Sequence, residues 1–273
     1  MNKQQFLPHK LSGGESSSVI LSQRGSNKFV VKHSVRNNLK NEFIALKLAR
    51  KGKVPVPAVI KYKKGTLFLE YINGKNIKRP DLGDKFFKNL SLVLKKLHSI
   101  RTSRVGKLTS SKRFSKNNWF DFLKSNLTKN INFLVKNGKF SKTEGKSFID
   151  SWVTKFHKLP NRTFLPTLVH NDIHLDNILV TQDKKLYLID FEDSFYGDPL
   201  YDLVPFSDFH PRFFSQLKKF YNHKDIFLNG WQDWFRIYEF VHWVCLGAFY
   251  IDIGKQKAYQ KYLTKILSFY QHK

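Results

Sequence analysis

One polar segment, framed by short apolar runs, limits the folds that this chain can adopt. Residues 170–177 are mostly polar and are followed by the apolar run 178–180. A second apolar run, 186–189, ends in Asp190. Residues of turn composition separate the two runs, so we predict a β-hairpin that brings Asn177 beside Asp190.

The first seventy or so residues favour strands with one helix among them. Strand-like residues 19–22 and 28–32 flank a turn and predict an antiparallel hairpin. Two further strands are predicted at 58–62 and 66–71, on either side of a glycine-containing turn. A short helix is expected over 41–50, where apolar residues recur at helical spacing.

The rest of the chain is dominated by helical patterns. Apolar residues recur at helical intervals over 86–97, and His98 closes that helix. Two more helices are predicted between residues 119 and 157. We therefore expect an α+β chain with two domains, a nucleotide-binding strand-rich lobe at 1–74 and a larger, mostly helical lobe at 75–273.

Three polar residues of the central segment are the types that phosphoryl transfer requires. That reaction needs a carboxylate to orient the attacking hydroxyl and accept its proton, and hard oxygen ligands to hold magnesium against the phosphates. Asp172 is predicted as the catalytic base, and Asn177 and Asp190 as magnesium ligands. The alternative is a polar hairpin whose side chains merely cap turns.

Three blocks in this order, 170–177, 189–192 and 197–203, resemble the aminoglycoside phosphotransferase and choline kinase superfamily. The resemblance implies a bilobal protein-kinase-like fold, ATP as co-substrate with Mg²⁺, and the roles just given for Asp172, Asn177 and Asp190. It further implies that residues 170–177 form a catalytic loop, which is supported by His170, Asp198 and Asp202. His174 and Asp176 either shape this loop or act in it.

The same resemblance suggests two charged residues for the nucleotide. Lys32 ends an apolar strand, where such kinases keep a lysine for the α- and β-phosphates. Glu42 opens the following helix and resembles the glutamate that pairs with that lysine. This prediction rests on the position of Lys32 and on the order of strand, lysine and glutamate along the chain. The lysine alone would not support it, because lysines at strand ends are common in a lysine-rich chain.

Two backbone segments are expected to complete the nucleotide site. The small-residue turn at 12–18, with Ser16 and Ser17, would offer N–H groups and hydroxyls to the phosphates. It lacks the ending of a Walker A loop, so an ordinary hairpin turn remains the alternative. The backbone from Glu70 to Ile72 is expected to form the hinge that meets the adenine edge.

The acceptor is less well specified by the sequence. An acidic and aromatic surface would suit a cationic acceptor, either an aminoglycoside or a quaternary ammonium such as choline. The alternative is that the aromatic residues of 231–243 are helix-packing core. The candidate acceptor-binding residues are Asp193, Asp208, Glu239, His242 and Trp243.

Several functions stay open at this level. An aminoglycoside-type or related hydroxylated metabolite is the first acceptor class, and choline or ethanolamine is the second. A protein kinase is disfavoured because Glu192 stands where those enzymes have glycine. Outside enzymes, the alternatives are a nucleotide-binding pseudokinase acting as an interaction module and a basic nucleic-acid binder, for which no known signature is present.

Charge and composition bear on location and partners. The formal net charge is +27, but the lysines are scattered along the chain, which favours a lysine-rich surface over a specific nucleic-acid site. A single cysteine fits a reducing compartment. The first residues lack the apolar run of a secretory signal, and the longest apolar stretch, 237–253, contains charged residues. We expect a cytoplasmic protein without a membrane span.

Overall fold

The structure is a computed structural model that describes residues 9–10, 17–34, 39–63, 65–77, 82–109, 119–222 and 226–271. The chain divides into two compact units, Met1–Arg113 with Pro166–Asn222 and Phe114–Leu165 with His223–Lys273. These units are not the two lobes expected from the sequence, whose boundary at residue 74 stays a prediction.

The first unit contains a five-stranded antiparallel sheet in the order β1-β2-β3-β5-β4. Its strands are β1 (His9–Lys10), β2 (Ser17–Arg24), β3 (Asn27–Ser34), β4 (Val59–Lys63) and β5 (Thr66–Glu70). The predicted hairpin and the two further predicted strands are therefore confirmed. Strand β3 lies between β2 and β5, and its residue Lys32 is paired with Val19 on one side and Leu67 on the other.

Helix α1 (Leu39–Lys51) follows this strand and begins two residues before the predicted segment. Its buried residues include Leu39, Glu42, Leu46 and Ala49, which recur at the three- and four-residue spacing of one helix face. Glu42 thus lies on an apolar, buried face. A carboxylate in that position needs a cationic partner, because an unpaired buried charge is costly.

The same unit contains two sheets of three strands each. Residues 167–203, which include the predicted catalytic residues, are called the catalytic segment below. The orders of the two sheets are β10-β9-β6 and β7-β11-β8. The strands are β6 (Gly74–Asn76), β7 (Gly106–Lys107), β8 (Thr167–Val169), β9 (Ile178–Thr181), β10 (Leu186–Leu188) and β11 (Phe195–Gly197). The predicted β9–β10 hairpin is confirmed, with Leu188 opposite Ile178.

Eight α-helices occur among the described residues, four in each unit. Besides α1, the first unit contains α2 (Asp84–Leu97), α5 (Leu203–Phe209) and α6 (Pro211–Phe220). The second unit contains α3 (Trp119–Lys136), α4 (Lys142–His157), α7 (Trp231–Asp252) and α8 (Gln256–Gln271). The helices predicted near 86–97 and between 119 and 157 are thus confirmed.

Aromatic side chains hold the second unit together. The indole N–H of Trp119 donates to the hydroxyl of Tyr238 at 2.9 Å, and Trp152 is fully buried. Trp234 and Tyr238 are buried as well, which favours the packing alternative for these two residues of α7. Over the part of the chain that the structure describes, no helix combines the length and apolar character needed to cross a membrane.

Candidate active site

A buried ammonium group lies at the centre of the candidate site. Lys32 is only 4% exposed, and its Nζ lies 2.8 Å from Glu42 Oε2 and 2.6 Å from Asp190 Oδ1. Glu192 adds a third carboxylate at 3.6 Å. The charge of Lys32 on strand β3 therefore contacts carboxylates from helix α1 and from the segment after β10.

The charges in this cluster shift one another's protonation. Burial alone would lower the pKa of Lys32, but Glu42, Asp190 and Glu192 outweigh it and hold that pKa above its ordinary value. Burial raises the pKa of Glu42 to about 7, against the opposing effect of Lys32. Lys32 therefore stays a cation at physiological pH.

The β9–β10 hairpin brings Asn177 and Asp190 together, as its sequence predicted. The backbone N–H of Ile189 donates to the carbonyl of Asn177 at 3.0 Å, which continues the hairpin pairing by one step. Asp190 follows with φ of 67°, a left-handed conformation that is uncommon for a residue other than glycine. This strained residue ends the strand, and its carboxylate contacts the ammonium of Lys32.

Asp172 lies next to Asn177 and keeps a solvent-accessible side. The amide Nδ2 of Asn177 donates to Asp172 Oδ2 at 2.7 Å and to its backbone carbonyl at 2.9 Å. His174 Nε2 lies 3.3 Å from the same carboxylate, whose side chain is 35% exposed. Asp172 is thus held from one side and open on the other.

His174 keeps Asp172 ionised. Burial would raise the pKa of Asp172, but the hydrogen bond and charge of His174 outweigh it and lower the pKa below its ordinary value. Conversely, burial would lower the pKa of His174, and its contact with Asp172 raises it. Nε2 of His174 faces the Asp172 carboxylate, and Nδ1 lies 3.5 Å from the carboxylate of Asp176.

A second buried carboxylate, Asp202, fixes the backbone that leads into Asp172. Its Oδ2 accepts from the backbone N–H of His170 at 2.9 Å, and its Oδ1 accepts from that of Asn171 at 2.6 Å. Oδ2 also lies 2.9 Å from Nε2 of His98. Asp202 is completely buried, so these contacts replace water entirely.

His170 joins this backbone to the β9–β10 hairpin. Its Nε2 donates to the carbonyl of Ile189 at 2.9 Å, and its ring packs against Phe191. Asn171 has φ of 72°, a left-handed conformation that asparagine tolerates better than most residues. Asp198 is fully buried and caps the next turn by accepting from the N–H of Leu200.

The donor set fits a hard divalent cation. Oxygen atoms of Glu42, Asp190 and Glu192 lie within 4.8 Å of one another, and the backbone of Asn177 pairs with Ile189, the residue before Asp190. Magnesium prefers such carboxylate and amide oxygens. Among these groups, Asn177 and Asp190 are the two that the sequence predicted as ligands.

The predicted acceptor residues are placed in different parts of the chain. Asp193 adjoins the catalytic loop, where its carbonyl accepts from Asn171 Nδ2 at 3.4 Å. Desolvation and the charges of Glu192, Asp172 and Asp190 raise the pKa of Asp193 to about 7, although its side chain remains solvent-accessible.

The other four acceptor candidates lie on helices. Asp208 is buried in α5 of the first unit. Glu239, His242 and Trp243 lie on α7 of the second unit, with His242 buried and the Trp243 ring facing the ammonium of Lys265 at 5.4 Å. Their part in binding an acceptor stays a prediction.

The predicted nucleotide-contacting backbone is only partly described. Ser16 lies outside the described residues, and Ser17 is the first residue of β2. Glu70 ends β5, where its carboxylate accepts from the N–H of Ala58 at 2.9 Å. Ile72 is buried, and its carbonyl accepts from the N–H of Gly74. The hinge assignment stays a prediction.

Two asparagines at the site were not anticipated from the sequence. Asn76 Nδ2 lies 2.7 Å from the carbonyl of Asp176 and 3.2 Å from those of Leu175 and Ile178, on both sides of Asn177. Asn41, beside Glu42, donates at 2.8 Å to the carbonyls of Glu192 and Ser194. Only β6 pairing with β9 and α1 packing on the catalytic segment bring them there, so no local pattern reveals either contact.

Replacing Asp202 by asparagine should destabilise the first unit. Both carboxylate oxygens accept N–H donors, so either orientation of the new amide turns its NH₂ group toward another donor. We expect the free energy of unfolding to fall by about 3 kcal/mol, the upper range for a buried charge-assisted hydrogen bond. Urea denaturation checks this, with the hairpin-turn variant Asp183→Asn as control, which should stay close to wild type. Equal urea midpoints for Asp202→Asn and Asp183→Asn would contradict the role of Asp202 in holding this backbone.

Replacing Asn76 by alanine should loosen the catalytic loop. The change removes the donors to three backbone carbonyls around Asn177, so we expect amide hydrogen exchange in residues 175–178 to accelerate by about tenfold. Asn73→Ala is a matched control, since Asn73 is exposed and precedes the same strand. Unchanged exchange in the Asn76 variant would show that the loop does not depend on this amide.

The comparisons with known proteins bear on this site. The profile of the phosphotransferase enzyme family, APH, matches residues 9–240. No curated protein matches the sequence significantly. Among solved structures, choline kinase LicA from Streptococcus pneumoniae is 15% identical, with 96% of this chain and 92% of that chain covered and a TM-score of 0.70.

Two aminoglycoside phosphotransferases have similar structures. APH(2")-IIa in complex with gentamicin is 22% identical, with 95% of this chain and 90% of that chain covered and a TM-score of 0.69. A thermostable mutant of APH(4)-Ia, in a ternary complex with AMP-PNP and hygromycin B, is 15% identical, with coverages of 99% and 95% and a TM-score of 0.69. These likenesses show the α+β protein-kinase-like fold.

The family profile spans most of the chain, including β3, α1 and the whole catalytic segment. The protein therefore belongs to the phosphotransferase enzyme family.

Proposed function

We propose that the protein transfers the γ-phosphoryl group of ATP to a hydroxyl group of a small molecule. Membership of the phosphotransferase enzyme family supports the general reaction. The observation that carries the proposal is the ammonium of Lys32, which lies 2.8 Å from Glu42 and 2.6 Å from Asp190, beside a hairpin that contains Asn177.

Asp172 acts as the base in this proposal. Its carboxylate is ionised, oriented by Asn177 and His174, and accessible on its remaining side. An acceptor hydroxyl that donates to it is held with its oxygen free to attack the γ-phosphorus. The new oxygen–phosphorus bond forms as the bond to the β-phosphate oxygen breaks, ADP leaves, and the hydroxyl proton passes to Asp172.

Lys32 serves the nucleotide. Its ammonium is fixed by Glu42 on α1, so it presents a preset positive charge to the α- and β-phosphates. Asn177 and Asp190 are the proposed magnesium ligands, and their amide and carboxylate oxygens suit that ion. When bound, magnesium neutralises charge on the phosphates during transfer.

The acceptor is proposed to carry a positive charge as well as a hydroxyl. Burial raises the pKa of Asp193, and the negative charges of Glu192 and Asp172 raise it further, to about 7. An ammonium group beside Asp193 would relieve the repulsion among these carboxylates. An aminoglycoside-type or related hydroxylated metabolite is the first candidate, and choline or ethanolamine is the second.

An ADP-release screen tests the proposal. The purified protein is assayed with ATP and Mg²⁺ against aminoglycosides, choline, ethanolamine, thiamine, sugars and homoserine. We expect at least one hydroxylated amine to stimulate ADP release. ATP–magnesium binding without stimulation by any acceptor would instead support the pseudokinase alternative, and salt-dependent binding of RNA or DNA would support the nucleic-acid alternative.

Replacing Asp172 by alanine should abolish transfer while leaving ATP binding largely intact. The carboxylate serves the acceptor hydroxyl, so we expect kcat to fall by about 10²- to 10⁴-fold. Calorimetric titration with ATP–Mg²⁺ gives the affinity, and Asp183→Ala in the exposed hairpin turn is the matched control. Turnover near the wild-type rate would show that Asp172 is not the base.

Replacing Asp190 by alanine should weaken nucleotide binding as well as transfer. It removes a proposed metal ligand and one of the carboxylates that hold Lys32. We expect the Kd for ATP–Mg²⁺ to rise by about tenfold or more, as for the loss of a charge-assisted contact. An affinity equal to that of the Asp172 variant would contradict the division of roles between the two aspartates.

A further inference from the structure

A buried tyrosine lies behind the carboxylate that anchors the catalytic loop. Tyr221 follows α6 directly and is completely buried. Its hydroxyl is hydrogen-bonded to Nδ1 of His98, and the other ring nitrogen of His98 contacts Asp202. The three side chains form one continuous chain from α6 through the end of α2 to the backbone before Asp172.

The chemistry of the partners restricts where the protons can lie in this chain. The Asp202 carboxylate can only accept, so the nitrogen that faces it, Nε2 of His98, must carry hydrogen. In a neutral ring Nδ1 is then an acceptor, and the Tyr221 hydroxyl donates to it. Burial, together with Asp202 and Asp198, raises the pKa of Tyr221 well above its ordinary value, so the hydroxyl keeps its proton.

We propose that Tyr221 is a positioning residue that holds His98 as the neutral Nε2–H tautomer. That N–H is the third donor to the Asp202 carboxylate, beside the two backbone N–H groups of the catalytic loop. The tautomer therefore helps to hold the left-handed backbone at Asn171, immediately before Asp172. Its effect on turnover rests on the proposed function.

Tyr221→Phe removes only the hydroxyl and keeps the ring that packs edge-on against His98. Nδ1 of His98 then becomes a buried acceptor that has lost its donor, which favours protonation of that nitrogen. In the Nδ1–H tautomer the lone pair of Nε2 would face Asp202, and in the cation a proton would remain on each nitrogen. In both cases the neutral Nε2–H form of His98 is no longer favoured over its other protonation forms.

Nitrogen-15 NMR of histidine-labelled protein tests the tautomer directly. The His98 signal is assigned by its loss in His98→Gln, and wild type is expected to show a protonated Nε2 and an unprotonated Nδ1 at pH 7. Tyr221→Phe is expected to show hydrogen on Nδ1. A wild-type ring already protonated on Nδ1 overturns the proposal, even if the variant fails to fold.

Two further readouts separate positioning from mere packing. In Tyr221→Phe we expect amide exchange at His170 and Asn171 to accelerate about tenfold, and kcat to fall about tenfold at unchanged KM for ATP. Tyr259→Phe is the matched control: Tyr259 is 1% exposed, and its hydroxyl has no hydrogen-bond partner among the residues that the structure describes. It should leave all three readouts unchanged.

The outcomes distinguish this inference from the proposed function. If no acceptor is ever phosphorylated, the proposed function fails, while the tautomer and the amide exchange still test Tyr221. If transfer occurs but Tyr221→Phe leaves the His98 nitrogens and the exchange at His170 and Asn171 as in wild type, the inference is overturned. A changed tautomer with an unchanged kcat overturns the role in catalysis.

Discussion

The buried charge of Lys32 is the constraint on which the rest of the site depends. An ammonium that is 4% exposed must be paired, and its partners come from α1 and from the segment after β10. Lys32 and Asp190 are 158 positions apart, so their contact fixes the five-stranded sheet against the catalytic hairpin. Because removing one partner leaves a buried charge uncompensated, the geometry of the site and the stability of this unit are coupled.

Asp202 supplies a second fixed point, and His170 connects the two. Asp202 holds the backbone of residues 170 and 171, while the ring of His170 donates to the carbonyl directly before Asp190. Asn171 and Asp190 both have left-handed backbones, conformations that cost about 1–3 kcal/mol and persist only when surrounding contacts impose them. The strain therefore lies immediately before the proposed base and at a proposed metal ligand, where pre-organisation is useful.

Local patterns in the sequence predicted much of this arrangement. Two apolar runs on either side of a turn predicted the β9–β10 hairpin, and with it the proximity of Asn177 and Asp190. The resemblance to a known family, through the position of Glu42, suggested a partner for Lys32. Contacts made by tertiary packing had no such signal. Asn76 reaches the catalytic loop only because β6 pairs with β9, and Tyr221 reaches His98 only because α6 packs on α2. The acceptor candidates on α7 belong to a separate unit, so neither sequence nor local geometry relates them to Asp172.

The central claim is direct transfer from ATP to an acceptor hydroxyl oriented by Asp172. Phosphorus-31 NMR of a reaction containing ATP, Mg²⁺ and the acceptor found by screening follows every phosphorus species at once. The account predicts a new phosphomonoester signal that grows in equal amount with ADP. Formation of ADP with inorganic phosphate alone, at a rate independent of the acceptor, would contradict it.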